Sequence, residues 1–293
     1  MASVESKLFN ILLRLINKKK FLEMQFAFGK FDFYNSREPS REARRACHIE
    51  RHFLNGRNVF TMSPKHGRSN KHILYLHGGA YVQNFVRQHW NFLSMLVRHT
   101  HCTITAPDYP LAPKYTYRDA FDMVSPLYTQ LIQKAGSVNT ILMGDSAGGG
   151  FALALAQKKK NDNEIQSGKI ILLSPWLDLT LKNPEIEALD PLDPFLSIQG
   201  LRKAGRAYAG NSDLDNYMLS PINGPLEGLG EITIFSGSRD ILCADARRLN
   251  LLGKAKGINI KYHEYKDMVH VWMLLNFTES KKAQKEIIAL ING

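Results

Sequence analysis

A serine with glycines two places before it and two places after it is the feature most open to chemistry. Gly144-Asp145-Ser146-Ala147-Gly148 reads G-x-S-x-G, behind an apolar run at 140–143 and ahead of a helical pattern at 147–159. A strand that turns sharply into a helix needs glycines on both sides, because larger side chains collide across the turn. Such a turn lifts the Ser146 hydroxyl above the strand and sets the Ala147 amide at a helix N-terminus. There the N–H groups are unpaired and the helix dipole favours negative charge. A nucleophilic serine with one oxyanion donor fits this layout. A phosphate-binding glycine turn has a similar look, but no Lys-Ser or Lys-Thr follows, so a P-loop is not supported.

A second glycine-rich stretch, His77-Gly78-Gly79-Ala80, closes the apolar run at 73–76. Small residues let the backbone approach a substrate, and their amides can face a developing oxyanion. On its own the stretch reads equally well as a glycine turn ending a strand.

Together the two stretches resemble the hormone-sensitive-lipase-like family of α/β-hydrolase esterases. His77 precedes Ser146 by 69 residues, and the elbow continues into Gly149, the family's fuller form. Asp108-Tyr109-Pro110-Leu111-Ala112-Pro113 is similar to its Tyr-Arg-Leu-Ala-Pro segment. Ser174-Pro175-Trp176-Leu177-Asp178-Leu179-Thr180 is similar to its Ser-Pro-x-x-Asp-Leu segment. Two departures stand out. Ala80 occupies the place of a third glycine, and Pro110 replaces the usual arginine, which leaves any salt bridge expected there without its cation.

The resemblance implies an α/β fold with a mostly parallel sheet, helices on both faces and a helical cap. It implies a serine carboxylesterase acting on short- to medium-chain acyl esters through an acyl-enzyme, with no metal and no cofactor. The amides of Gly78, Gly79 and Ala147 would form the oxyanion hole, with His77 supporting that loop. An amidase or arylformamidase using the same triad is the alternative, as is a ligand-binding relative that has lost its base. Relatives are often dimers, which makes a homodimer one expected assembly.

In this fold the acid and then the base follow the serine along the chain. Arg239-Asp240-Ile241-Leu242 follows the run at 232–235 and resembles the family's Asp-Pro-Leu motif, which implies Asp240 as the acid. Asp245 should fall one turn into the next helix, and Asp267 shares a loop with His270. Only His263 and His270 follow Asp240. His263 is expected inside or at the end of a strand, whereas His270 lies between the last strand and the last helix, where the family keeps its base. Tyr81, Trp176, Phe195 and Tyr208 are candidate pocket walls, each equally readable as a core or lid aromatic.

These residues need a scaffold. Short apolar runs at 73–76, 102–106, 140–143, 169–173, 232–235 and 258–262 alternate with helical patterns at 90–99, 117–134, 147–159, 244–256 and 272–291. Buried strands alternating with helices give a mostly parallel sheet covered on both faces. Segments 48–53 and 58–62, joined across Asn55-Gly56, predict a leading hairpin. The interval 176–217 breaks the alternation, with one clear helix at 197–208, and reads as a cap insertion. The expected division is a helical segment 1–45, a catalytic core 46–175 and 218–293, and the insertion 176–217.

Composition sets the remaining bounds. The 293 residues are 44% hydrophobic and 22% charged, which suits a globular protein and excludes a disordered one. Cys47, Cys102 and Cys243 are odd in number and form no CxxC pair, so a cysteine metal cage is not supported and reduced thiols in a cytoplasmic protein are expected. The net charge of +11 comes without a nucleic-acid motif or a basic stripe interleaved with aromatics, so it reads as a basic surface rather than a nucleic-acid partner. Residues 3–17 predict an amphipathic helix with Leu8, Ile11, Leu12, Leu15 and Ile16 on one face. That face is expected to cover a pocket on its own protein, with a membrane surface as the alternative. Stable membrane insertion is not expected, since no apolar stretch is long enough to span.

Overall fold

The apolar runs pair into one eight-stranded sheet. The computed structural model describes residues 2–32 and 35–293. The chain opens with α1 (Val4–Leu15), α2 (Phe21–Phe28) and α3 (Arg41–Ala46). An antiparallel hairpin of β1 (Cys47–Leu54) and β2 (Arg57–Pro64) follows. It turns at Asn55-Gly56, both with positive φ, as a two-residue hairpin requires. Then come β3 (His72–Leu76), α4 (Arg87–Thr100), β4 (Thr103–Pro107), α5 (Tyr117–Ala135), β5 (Thr140–Asp145), α6 (Ala147–Asn161) and β6 (Lys169–Leu173). The insertion contributes α7 (Glu185–Leu189) and α8 (Ile198–Ala209). The chain ends with β7 (Glu231–Gly237), α9 (Cys243–Ala255), β8 (Lys261–Tyr265) and α10 (Thr278–Asn292).

Strand order is β1-β2-β4-β3-β5-β6-β7-β8. Only the pairs β1–β2 and β2–β4 are antiparallel, and the others are parallel. The period-two geometry of a strand splits each run between two cores. Leu74, Leu76, Leu142 and Leu172 pack toward Phe121 and Leu127 of α5 and Phe151 of α6. Ile73, Tyr75, Ile141 and Ile171 face Trp90 and Leu93 of α4 and Ile287 of α10. This is the α/β-hydrolase fold with a helical cap insertion.

Three differences from the sequence reading have physical causes. β8 begins at Lys261, not 258, because the Ile258 amide is spent on the Gly253 carbonyl that closes α9. The last helix starts at Thr278, because residues 272–274 form a separate 3₁₀ turn after Val271, whose φ is +48°. The largest difference is α1. Its buried residues are Ser6, Asn10 and Leu13, while Leu8, Ile11, Leu12, Leu15 and Ile16 are exposed. The helix therefore does not cover a pocket with its apolar face. It is anchored instead by polar ties at Ser3, whose amide and hydroxyl both donate to Glu279, and by Phe9 against Phe277. No helix among the described residues is long and apolar enough to cross a membrane.

Candidate active site

Ser146 sits between β5 and α6 with φ +53° and ψ −122°, a strained conformation for a residue with a side chain. The two glycines of the turn hold it there. A Cβ on Gly144 would stand 2.2 Å from the Gly148 carbonyl oxygen, and one on Gly148 would stand 2.0 Å from that of Leu76. The Ser146 amide donates to Leu173, and its carbonyl accepts from Trp176. The elbow is thus bolted to the end of β6 and to the start of the insertion.

Asp240 and His270 are brought to the same place by loops beyond β7 and β8. His270 Nδ1 lies 2.7 Å from Asp240 Oδ2, and Nε2 lies 2.8 Å from Ser146 Oγ. A carboxylate on one side leaves Nδ1 as the donor and Nε2 free to accept the serine proton. Asp240 Oδ1 accepts from the Leu242 amide. The histidine loop is fixed by the Val271 amide donating to Ser174 Oγ. All three side chains are buried. Burial alone pulls the His270 pKa down, but Asp240, with Asp193 and Asp145 further off, outweighs it and raises the value above the ordinary 6.5.

Asp245 is placed inside α9, where it accepts from Asn183. Asp267 pairs with Arg239. His263 is in β8, stacked on Phe235 and facing Glu286. None of them touches Ser146 or His270.

The glycine stretch after β3 requires a correction. The Gly78 amide, expected to face an oxyanion, donates to Asp145 Oδ1 at 2.9 Å. Asp145 also accepts from Tyr75 at 2.6 Å and His89 at 3.2 Å. His89 Nδ1 accepts the Val86 amide, so its Nε2 carries the proton given to Asp145. Burial works against the Asp145 charge, yet His89, Tyr75 and Gly78 together hold its pKa below the usual range. The amides of Gly79, Ala80 and Ala147 have no acceptor among the described residues. Gly79 has φ +119° and Ala80 φ +53°.

His77 lies between Phe85 and Tyr109, with ring centroids 4.2 Å and 4.4 Å away. Burial drives its pKa down to about 3, so it is neutral and buttresses the loop. Tyr109 donates to the His77 carbonyl at 2.6 Å. Next to Pro110, Arg57 of β2 pairs with Asp108 at 2.6 Å.

Of the four aromatics, Tyr81 and Tyr208 stack with centroids 3.7 Å apart, and Trp176 lies 5.7 Å from Tyr81. They form one buried cluster beside Gly150, one turn along α6 from Ser146. Phe195 is half-buried, with its ring 5.6 Å from that of His270. Its other side faces Lys18, whose ammonium is 4.6 Å from the ring centroid and is pulled down by burial to about 8.

Sequence reasoning missed two carboxylates. Asp145 appeared only as a spacer in the elbow, though its position beside a nucleophile and before a helix was a usable signal. Asp193 gave none. It is buried in the insertion and accepts from the amides of Phe195, Leu196 and Ile241 at 2.7, 3.0 and 2.9 Å. It ties the cap to the loop that carries Asp240. Burial, with the Asp240 charge nearby, pushes its pKa up to about 7.

The sequence profile of the α/β-hydrolase fold matches residues 73–274. The chain is 30% identical to an esterase of Acinetobacter venetianus, covering 73% of this chain and 72% of that one. It superposes on the crystal structure of a hormone-sensitive lipase from a metagenome library with TM-score 0.85, at 25% identity, over 100% of this chain and 99% of the other. The chain belongs to the α/β-hydrolase family. An acetyl-hydrolase of Streptomyces hygroscopicus is a further relative of this hydrolase, 28% identical over 68% of this chain and 67% of that one. These relatives carry the names esterase, acetyl-hydrolase and lipase, so the hydrolase placement matches the expectation drawn from the motifs.

Proposed function

We propose that the protein is a carboxylesterase of short- to medium-chain acyl esters, with Ser146 as nucleophile, His270 as general base and acid, and Asp240 as the orienting acid. The reading is carried by one observation, the His270 ring spanning Ser146 Oγ and Asp240 Oδ2 at 2.8 and 2.7 Å. Ser146 attacks the ester carbonyl as Nε2 takes its proton, and Asp240 stabilises the imidazolium that forms. The amides of Gly79, Ala80 and Ala147 bind the oxyanion, with Asp145 holding the loop through Gly78. His270 returns its proton to the leaving alcohol, and water attacks the acyl-enzyme, releasing acid and free enzyme. No partner is needed beyond a small ester and water.

Because Ser146 and His270 are buried, an ester enters by displacing the roof near Phe195. The aromatic cluster of Tyr81, Trp176 and Tyr208 is the acyl-side wall in this reading and limits chain length. Turnover of p-nitrophenyl acetate, butyrate, octanoate and palmitate, with Ser146→Ala alongside, tests it. The expected result is fast turnover of the short esters, abolished in the variant. Amide substrates cleaved faster than matched esters would overturn the carboxylesterase assignment.

A further inference from the structure

The helix α1 is built the wrong way round for one that merely roofs a domain. Its inner side holds Ser6, Asn10 and Leu13. Val4, Leu8, Ile11, Leu12, Leu15 and Ile16 are 50–78% exposed. These six recur at three- and four-residue steps, which makes one stripe along the helix. The helix α2 extends the surface with Met24 and Phe28, one turn apart and 51% and 71% exposed. Scattered exposed apolar side chains are ordinary, but a continuous stripe that the fold does not use for packing calls for an external partner.

Charge identifies the kind of partner. Lys7 and Arg14 lie two helical turns apart on one border of the stripe, Lys20 follows its end, and Lys30 follows α2, all of them exposed. Glu5 is the only acid within α1. The whole chain carries +11. An apolar stripe with a basic border is complementary to an anionic lipid surface, where acyl chains receive the leucines and headgroup phosphates receive the cations. The same charges oppose a second copy, because stripe against stripe would bring two basic borders together. We propose that α1 and α2 dock this protein, lying in the interface plane, on an anionic lipid surface.

The docking surface lies over the candidate active site. Leu22 of α2 packs at Gly200 of α8, where a Cβ on the glycine would stand 3.1 Å from it. Lys18, between α1 and α2, covers Phe195, and Phe195 covers His270. A bound lipid surface would therefore press on the roof through which an ester enters. Docking itself does not depend on the esterase reading.

The test is flotation of the full chain with vesicles of phosphatidylcholine alone and of phosphatidylcholine with phosphatidylglycerol. The wild type floats with the anionic vesicles, and added salt weakens this. The triple variant Leu8→Glu, Ile11→Glu, Leu15→Glu lowers partitioning on the order of 1000-fold, since each buried aliphatic side chain is worth about tenfold. Its far-ultraviolet circular dichroism and its rate on soluble p-nitrophenyl butyrate match the wild type. A wild type that stays in solution, or a triple variant that floats equally well, overturns the proposal. So does a wild-type dimer by light scattering that the triple variant breaks into monomers without any flotation, which would make the stripe a self-association surface. If neither protein turns over the butyrate ester, the esterase reading fails while flotation still decides docking.

Discussion

On the sheet side of the site, Ser146, Asp240 and His270 rise from the ends of β5, β7 and β8, and each is held by hydrogen bonds, the Ser146 amide to Leu173, Asp240 Oδ1 from the Leu242 amide, and the His270 loop through the Val271 amide to Ser174 Oγ. On the roof side, the insertion meets the site through the half-buried ring of Phe195, the Trp176 amide and Asp193, and α1 and α2 are joined to the insertion by a few polar ties: Lys19 to Asp190 at 2.8 Å, Arg14 to the Leu192 carbonyl at 3.0 Å, and Ser197 to Glu23. The sheet side is rigid because its side chains and glycines leave no room. The roof is joined by contacts that can be released singly. Chemistry resides where geometry is over-determined, and access where it is not.

Substitutions separate the two regions by size of effect. Asp240→Asn leaves the geometry but removes the charge that sets the His270 tautomer, and costs about ten-thousand-fold in kcat. Loss of that carboxylate also leaves burial dominant, so the acid limb of the kcat/KM profile, expected above pH 6.5 in the wild type, moves to lower pH. The sign for stability is opposite to that for activity. A raised histidine pKa stabilises the fold fully below pH 6.5 and loses that contribution as pH rises through the folded value, where neutral His270 becomes an active base.

Gly78→Ala attacks the oxyanion loop. Its Cβ would stand 2.3 Å from Asp145 Oδ2 and 3.0 Å from Ser146 Cβ. The expected loss is about 100- to 1000-fold in kcat/KM, with about 1–3 kcal/mol of stability measured by urea unfolding.

Asp193→Asn tests the joint between roof and sheet. Its amide NH₂ would face the Ile241 N–H, so the cap is untied from the Asp240 loop. A loss of about tenfold in kcat/KM is expected, accompanied by a small downward shift of the acid limb, because the partial charge that Asp193 carries near neutral pH is gone. A merely structural change would leave the pH profile in place. Ala80→Gly has the smallest effect. The left-handed backbone there costs alanine about 1–2 kcal/mol, partly offset by glycine's greater unfolded entropy, so Tm rises by at most a few degrees with activity unchanged.

The legibility of the sequence divides along the same line. The strands and the elbow at Ser146 were readable because buried runs and glycine spacing are local signals, whereas Asp240 and His270 were chosen through the family resemblance, and the structure sets both side chains beside Ser146. The roof was not. The apolar stripe of α1 was legible as a stripe, but periodicity does not say whether a face turns inward, and here it turns out. Helices α2, α3 and α7 are short and depend on tertiary contacts. The fate of the Gly78 amide was hidden because its acceptor, Asp145, lies 67 residues away in sequence. Asp193 sits in a stretch whose turns carry no period, and its role appears only when Ile241 is beside it.

Covalent trapping tests the central claim most directly. The protein is incubated with a fluorophosphonate, and the adduct is mapped by peptide mass spectrometry. A single adduct on Ser146, slowed by competing p-nitrophenyl butyrate, absent in Ser146→Ala and formed far more slowly in Asp240→Asn, is the predicted result. Ester hydrolysis that persists with Ser146 unlabelled, or an adduct on another residue, would contradict the account.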